Sequence, residues 1–248
     1  MAVVRRVAAA RPIPSWSKGP LLISFSGLDG SGKSTQIEHL RARLTAAGYR
    51  TALLAFWDDV VVLSRYREDF VHKVYNSEIG VGAPGKPVQR RDKNVRKWYL
   101  TLARHILYLL DAVNLCVVVG RARRSRPDVI IMDRYIYDEW ANLPLRGFLT
   151  RIYIRLLNAI LPRPDIAYLL DADPEAAAAR KPEYPVEFMH RCRAAYYRLA
   201  RLLATMTIIP PLAIDQAKLA VEATLMGILS RRSAQRELET APACSRAS

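Results

Sequence analysis

Leu21-Leu-Ile-Ser-Phe-Ser26 runs directly into Gly27-Leu-Asp-Gly-Ser-Gly-Lys33-Ser34, and Ile37, Leu40 and Leu44 follow at helical spacing. Six mostly apolar residues bounded by a glycine-rich turn read as a buried strand of a parallel sheet. The eight residues from Gly27 to Ser34 fit the P-loop pattern, Gly-x-x-x-x-Gly-Lys-Ser/Thr. Gly48 is a natural stop for the helix, and Thr51–Phe56 reads as a second strand. Strand, loop, helix and strand in this order make a βαβ unit.

The physical sense of the loop is anion binding. Its glycines let successive backbone N–H groups turn inward around phosphate oxygens, and the following helix adds its positive end. Lys33 is placed to reach the β- and γ-phosphates of a nucleoside triphosphate, and the Ser34 hydroxyl to ligate a divalent cation. The expected ligands are ATP and Mg²⁺, held by Gly27, Leu28, Asp29, Gly30, Ser31, Gly32, Lys33, Ser34 and Thr35. A P-loop by itself does not separate kinases from GTPases or motor ATPases. The chain has no Asn-Lys-x-Asp guanine-reading motif, and its third apolar run ends in Asp133-Arg134-Tyr135 rather than Asp-Glu.

Further strands are predicted at Asp128–Met132, Ile166–Leu170 and Ile208–Ile214, the last, with its two prolines, near a sheet edge. Helices are predicted at 96–122, 137–143, 147–160, Pro174–Arg180, Val186–Thr205 and Leu219–Ser230. In 96–122, Leu102, Ile106, Leu109, Val113 and Val117 fall on one helical face. The alternation specifies an α/β chain with a P-loop NTPase fold, a parallel sheet flanked by helices on both faces. One domain is expected over 20–232, with a flexible N-terminal arm at 1–19 and a flexible C-terminal tail at 233–248. Within the domain, 76–94 reads as a mobile loop and 180–186 as a short lid.

Composition narrows the function. The 248 residues are 51% hydrophobic and 25% charged, with a formal net charge of +15. Guanidinium groups match phosphate geometry, so an arginine excess suits a phosphate-handling enzyme. The basic residues are spread along helices rather than grouped with stacking aromatics, so nucleic acid is not the expected partner. The most apolar stretch, Ile106–Val119, is short and broken by Asp111 and Asn114, so no membrane span is expected. Cys116, Cys192 and Cys244 are too few and scattered for a disulfide framework or a zinc site, which fits a cytoplasmic location.

Asp133 follows a buried strand at the sheet's carboxyl edge, where α/β ligands bind, and is a candidate ligand for Mg²⁺ directly or through water. Arg134 can clamp a phosphate with two parallel N–H donors. Lys33, Arg134 and a lid arginine, for which Arg180 is the candidate, would supply the charge neutralisation that phosphoryl transfer needs. Trp57 and Tyr135 are either stacking surfaces for an acceptor base or core aromatics.

Taken in order, these pieces resemble the thymidylate kinase family of nucleoside monophosphate kinases. The resemblance rests on Phe25-Ser-Gly-Leu-Asp-Gly-Ser-Gly-Lys-Ser-Thr-Gln36, on Asp133-Arg134-Tyr135, on Pro164–Glu175 running to Arg180, and on Ala213-Ile-Asp-Gln-Ala217. It implies transfer of the γ-phosphoryl of ATP to a nucleotide substrate, dTMP by family expectation, and a homodimer. It also implies that Asp29 faces the acceptor's sugar and that Asp215 lies in the loop that holds the adenine.

The acceptor half departs from the family pattern. Ser26 stands where the family commonly has Glu, and Phe56-Trp57-Asp58-Asp59 where it has a proline-containing motif. Ala112 stands in place of an arginine, Asn114 near a glutamine, and Asp138 and Asn142-Leu143 in place of a Ser and a Tyr-Gln pair. Two other readings therefore remain at this point. One is a P-loop kinase acting on another hydroxyl or phosphate acceptor, such as a nucleoside or sugar. The other is a regulatory protein that binds ATP or nucleic acid through a degenerate kinase fold.

Overall fold

The strand β1 (Leu21–Gly27) is buried along its whole length and forms the middle of a five-stranded sheet. In this computed structural model, which describes residues 19–62 and 98–240, the other strands are β2 (Thr51–Ala55), β3 (Val129–Asp133), β4 (Ile166–Leu170) and β5 (Met206–Ile209). Their order is β2-β3-β1-β4-β5 and every pairing is parallel. The expected α/β P-loop NTPase architecture is present.

The helices among the described residues are α1 (Lys33–Ala46), α2 (Trp98–Arg124), α3 (Ile136–Trp140), α4 (Phe148–Ile160), α5 (Pro174–Arg180), α6 (Val186–Leu203) and α7 (Ile214–Thr240). Side chains alternate across a strand, so each strand feeds two cores. Leu21, Ile23 and Phe25 pack with Ile37, Leu40 and Leu44 of α1 and Val221 and Leu225 of α7 on one face. Leu22, Ile130, Met132 and Leu169 pack with α2, α3, α4 and α6 on the other. Both faces are therefore covered, as an all-parallel sheet requires.

Register places the functional loops. Phe25 of β1 pairs with Asp133 of β3, and Gly27 pairs with Leu170 of β4. The glycine loop, the Asp133-Arg134 pair and Asp171 thus leave the sheet at the same edge, side by side.

Four features differ from the expectations. The last strand is Met206–Ile209 rather than Ile208–Ile214, because Pro210 and Pro211 have no N–H to continue the ladder. Strand β2 ends at Ala55, and Phe56–Val60 form a π-helical turn that buries Phe56 and Val60. Helix α7 begins at Ile214 and runs to Thr240, past Ser230 and into the segment expected to be a tail. The stripe Leu102, Ile106, Leu109, Val113 and Val117 of α2 faces outward, while Tyr108, Ala112, Leu115 and Val119 enter the core.

Helix α2 is also long and apolar enough over Thr101–Arg124 to cross a membrane, by length and composition. Its polar residues serve the core instead. Asp111 is fully buried and accepts the Val62 N–H at 2.8 Å, and Asn114 donates to the Val60 carbonyl at 2.8 Å. Residues 1–18 of the arm expected at 1–19, the expected 76–94 loop with its Arg90, Arg91 and Lys93, and residues 241–248 lie outside the described residues.

Candidate active site

A cleft of about 740 Å³ opens at the carboxyl edge of the sheet. One side is the loop from Asp29 to Thr35, with Asp133 and Arg134 beside it and Arg180 and Lys181 above α5. The opposite side is apolar, built by Ile209 at the end of β5, by Pro210, Pro211 and Leu212 after it, and by Ile214 and Ala217 of α7.

The loop is shaped for an anion. Gly32 caps α1 in the left-handed region at φ 87°, and a Cβ built there would meet nothing within 4 Å. The space in front of the helix's positive end is open, as an incoming phosphate requires. Ser31 Oγ and Gln36 Oε1 are buried beside the cleft without a hydrogen-bond partner among the described residues; a phosphate oxygen would satisfy the Ser31 hydroxyl, whereas the Gln36 oxygen, an acceptor, would need a donor or a cation. Ser34 and Asp133 both line the cleft with oxygen donors, the ligand type Mg²⁺ takes. Among the described residues no group of three or more His, Cys, Asp or Glu could hold a metal, so a cation here would draw the rest of its ligands from phosphate oxygens and water.

Lys33 is buried, and its amine donates to the carbonyls of Gly27 at 3.0 Å and Leu28 at 2.7 Å. Burial, and next the neighbouring Arg134 charge, push its pKa down to about 8 against the pull of Asp29, Asp138 and Asp133. Gly27 and Leu28 lie beneath the loop rather than on the cleft surface, and their carbonyls park the lysine.

Arg134 has a left-handed backbone, φ 66°, and its N–H donates to the Phe25 carbonyl at 3.0 Å. Its guanidinium pairs with Asp29 of the loop and, at 3.3 Å, with Asp138 of α3. Burial opposes its charge, but the carboxylates of Asp138 and Asp29 outweigh that and hold the group firmly cationic. On the other side of the loop Asp171, almost wholly buried at the end of β4, accepts two bonds from Arg193 (2.7 and 2.6 Å) and one from the Tyr197 hydroxyl (2.8 Å). Arg180 lines the cleft and donates from Nε to the Gly30 carbonyl at 2.9 Å.

Three further expected site residues stand outside the cleft lining. Asp215 is in the first turn of α7 with its side chain 90% exposed, paired at 3.0 Å with Lys218, while its neighbours Ile214 and Ala217 line the cleft. Tyr135 is a core residue: its ring stacks edge-on to Tyr137 and its hydroxyl donates to the Pro162 carbonyl, so it offers no face to a ligand. Trp57 is 44% exposed in the π-helical turn after β2 and lies outside the cleft lining. Ala112 is buried in the core of α2, so no charge replaces the family arginine at that position.

The apolar wall at 209–212, expected as strand, and the buried acid Asp171 were not anticipated in the sequence, and Asp138 stood out there only as a departure from the family pattern. A signal for the wall was present: two adjacent prolines after a short apolar run end a strand and leave an apolar loop at the sheet edge.

The fold is that of the P-loop NTPase class, with the cleft at its phosphate loop. A thymidylate kinase of Bifidobacterium longum subsp. infantis is 30% identical over 224 residues, covering 84% of this chain and 87% of the relative. The chain belongs to the thymidylate kinase family. A thymidylate kinase of Xanthomonas euvesicatoria pv. vesicatoria is 30% identical over 194 residues, 73% of each chain. The crystal structure of a thymidylate kinase from Ehrlichia chaffeensis shares the fold, with a TM-score of 0.53 at 20% identity over 84% of this chain and 99% of that one. No protein-family profile matches the chain.

Proposed function

We propose that the enzyme moves the γ-phosphoryl of ATP to the phosphate of a nucleoside monophosphate, with dTMP as the first candidate because its relatives are named for thymidylate. The observation that carries this reading is the two-sided cleft, with Lys33, Ser34, Asp133, Arg134 and Arg180 on the loop side and an apolar wall opposite. The wall suits a flat base: the six residues that form it carry no polar side-chain atom, and its two prolines offer no N–H. The triphosphate would run from there into the loop's N–H groups.

Phosphoryl transfer asks the protein mainly for position and charge. Lys33 would leave the Gly27 and Leu28 carbonyls to bridge the β- and γ-phosphates. Arg134 would clamp the phosphate group and Arg180, at the start of the 180–186 lid, would cover it. Ser34 and Asp133 would hold Mg²⁺, which neutralises phosphate charge when bound. Asp29 would face the acceptor's sugar, and Trp57 would offer its ring to the acceptor base. Coupled ADP release with a panel of nucleoside monophosphates, and with uncharged nucleosides and sugars beside them, tests this. Stimulation by a monophosphate is expected; stimulation by an uncharged hydroxyl compound alone would reassign the acceptor.

The lysine predicts a pH dependence. A proton is lost from Lys33 of the free enzyme as pH rises through about 8, while a bound polyphosphate favours the charged form. Accordingly kcat/KM for ATP, which reports the free enzyme, should fall above about pH 8, and kcat should hold to higher pH. A pH profile in which both stay flat to pH 10 would contradict it.

The reading includes a cytosolic homodimer. Leu102 (54% exposed), Ile106 (53%) and Val113 (58%) of α2 supply an apolar face suited to a second copy. Ile106→Glu with Val113→Glu should shift sedimentation at micromolar concentration from dimer to monomer; an unchanged dimer would place the contact elsewhere.

A further inference from the structure

The Asp138 carboxylate is only 5% exposed, yet it collects donors from three separate elements. Its Oδ2 accepts from Ser26 Oγ of β1 at 2.7 Å and from the Tyr135 N–H at 3.2 Å. Its Oδ1 accepts from the Tyr196 hydroxyl of α6 at 2.6 Å and from Arg134 Nη1 at 3.3 Å. A buried carboxylate is tolerable only when so saturated, and once saturated it cannot easily move. Arg134 is the one partner that reaches the cleft, and its other Nη group is bound to Asp29, which sits on the phosphate loop itself. Asp138 is thus the fixed end of the guanidinium and Asp29 the ligand-side end. The left-handed backbone at Arg134, sparsely used by residues other than glycine, sets the direction from which the side chain starts.

Two departures noted separately in the sequence meet here. The Ser26 hydroxyl and the Asp138 carboxylate are in direct hydrogen-bond contact. We propose that Asp138 is the positioning residue for Arg134, and that Ser26 and Asp138 form a carboxylate–hydroxyl couple in which either position can carry the charge. What Arg134 does once positioned rests on the phosphate-clamp reading above; how it is held does not.

The test uses the full chain and four variants: Asp138→Asn, Asp138→Ser, Ser26→Glu, and Ser26→Glu with Asp138→Ser. Asp138→Asn keeps the shape and removes the charge. It and Asp138→Ser should lower kcat about tenfold or more while KM for ATP stays within about threefold, since a clamp displaced by an ångström costs rate more than binding. The double variant should recover kcat to within about threefold of wild type, and Ser26→Glu alone, with two facing carboxylates, should be the least stable of the set. A merely structural Asp138 would instead lower the melting temperature and leave kcat of the folded enzyme unchanged, which would overturn the proposal. So would a folded double variant no better than Asp138→Ser.

A second readout is independent of substrate. The Arg134 Nη groups, assigned by NMR against Arg134→Lys, should both show hindered rotation in wild type and in the double variant, and faster rotation of the Nη1 group in Asp138→Asn, with Nη2 still held by Asp29. Equal rotation in all would refute the positioning role. If wild type phosphorylates no nucleotide, the proposed function fails while this NMR comparison still decides how Arg134 is held.

Discussion

Replacing Lys33 by alanine should lower turnover by about three orders of magnitude and leave the fold intact. The size follows from the role proposed for the amine: loss of one preorganised charge on a transferring group costs a factor of about 10²–10³. The fold should survive because burying that amine already opposes stability, as its lowered pKa of about 8 records. Its loss exchanges two hydrogen bonds, to Gly27 and Leu28, for relief of that burial. The check is kcat beside the melting temperature. Turnover near wild type would contradict the role of the loop; a collapsed melting temperature would mean the lysine is structural.

Gly27→Ala should be the most damaging single-atom change in the loop, through stability rather than charge. Gly27 has φ 146°, a conformation that L side chains rarely adopt, and an added Cβ would stand 2.4 Å from the Leu170 carbonyl oxygen. That oxygen belongs to β4, paired to β1 in the middle of the sheet, so it cannot retreat without breaking the ladder. Strain and clash together should cost about 3 kcal/mol or more. For a chain of this size that is a fall of roughly 6–12 °C in melting temperature, with weakened ATP binding because the loop beyond Gly27 shifts. A variant melting within a degree of wild type would show that the loop is looser than its geometry indicates.

The part of this enzyme that could be read in the sequence is the part made by local chain chemistry. The strand, the glycine loop and α1 are contiguous, and glycine spacing, a lysine and a hydroxyl specify them without help from the rest of the fold. The acceptor half is assembled across the chain. Ser26 and Asp138 are 112 residues apart and become a pair only when β1 and α3 are brought together. Asp215 was expected at the base site because of its place in the chain. In the helix that begins at Ile214, residues 214 and 217 share a face and 215 turns away, so two apolar side chains line the cleft and the acid faces water. Tyr135 shows the opposite limit: its position beside Arg134 suggested a ligand contact, but successive side chains diverge, and the ring completes the core. For α2 the periodicity identified the helix without saying which side was inside, because both its outward stripe and its buried face are apolar.

In the proposed reaction the cleft's loop side delivers a γ-phosphoryl group to a nucleotide's phosphate. The most direct measurement follows the label from γ-³²P-ATP in the presence of Mg²⁺ and each nucleoside monophosphate in turn, with Lys33→Ala as the blank. The account predicts that label appears in a nucleoside diphosphate, with dTMP the leading acceptor, and that the blank shows none. Label remaining in ATP with every monophosphate, although ATP binds the protein, would contradict it.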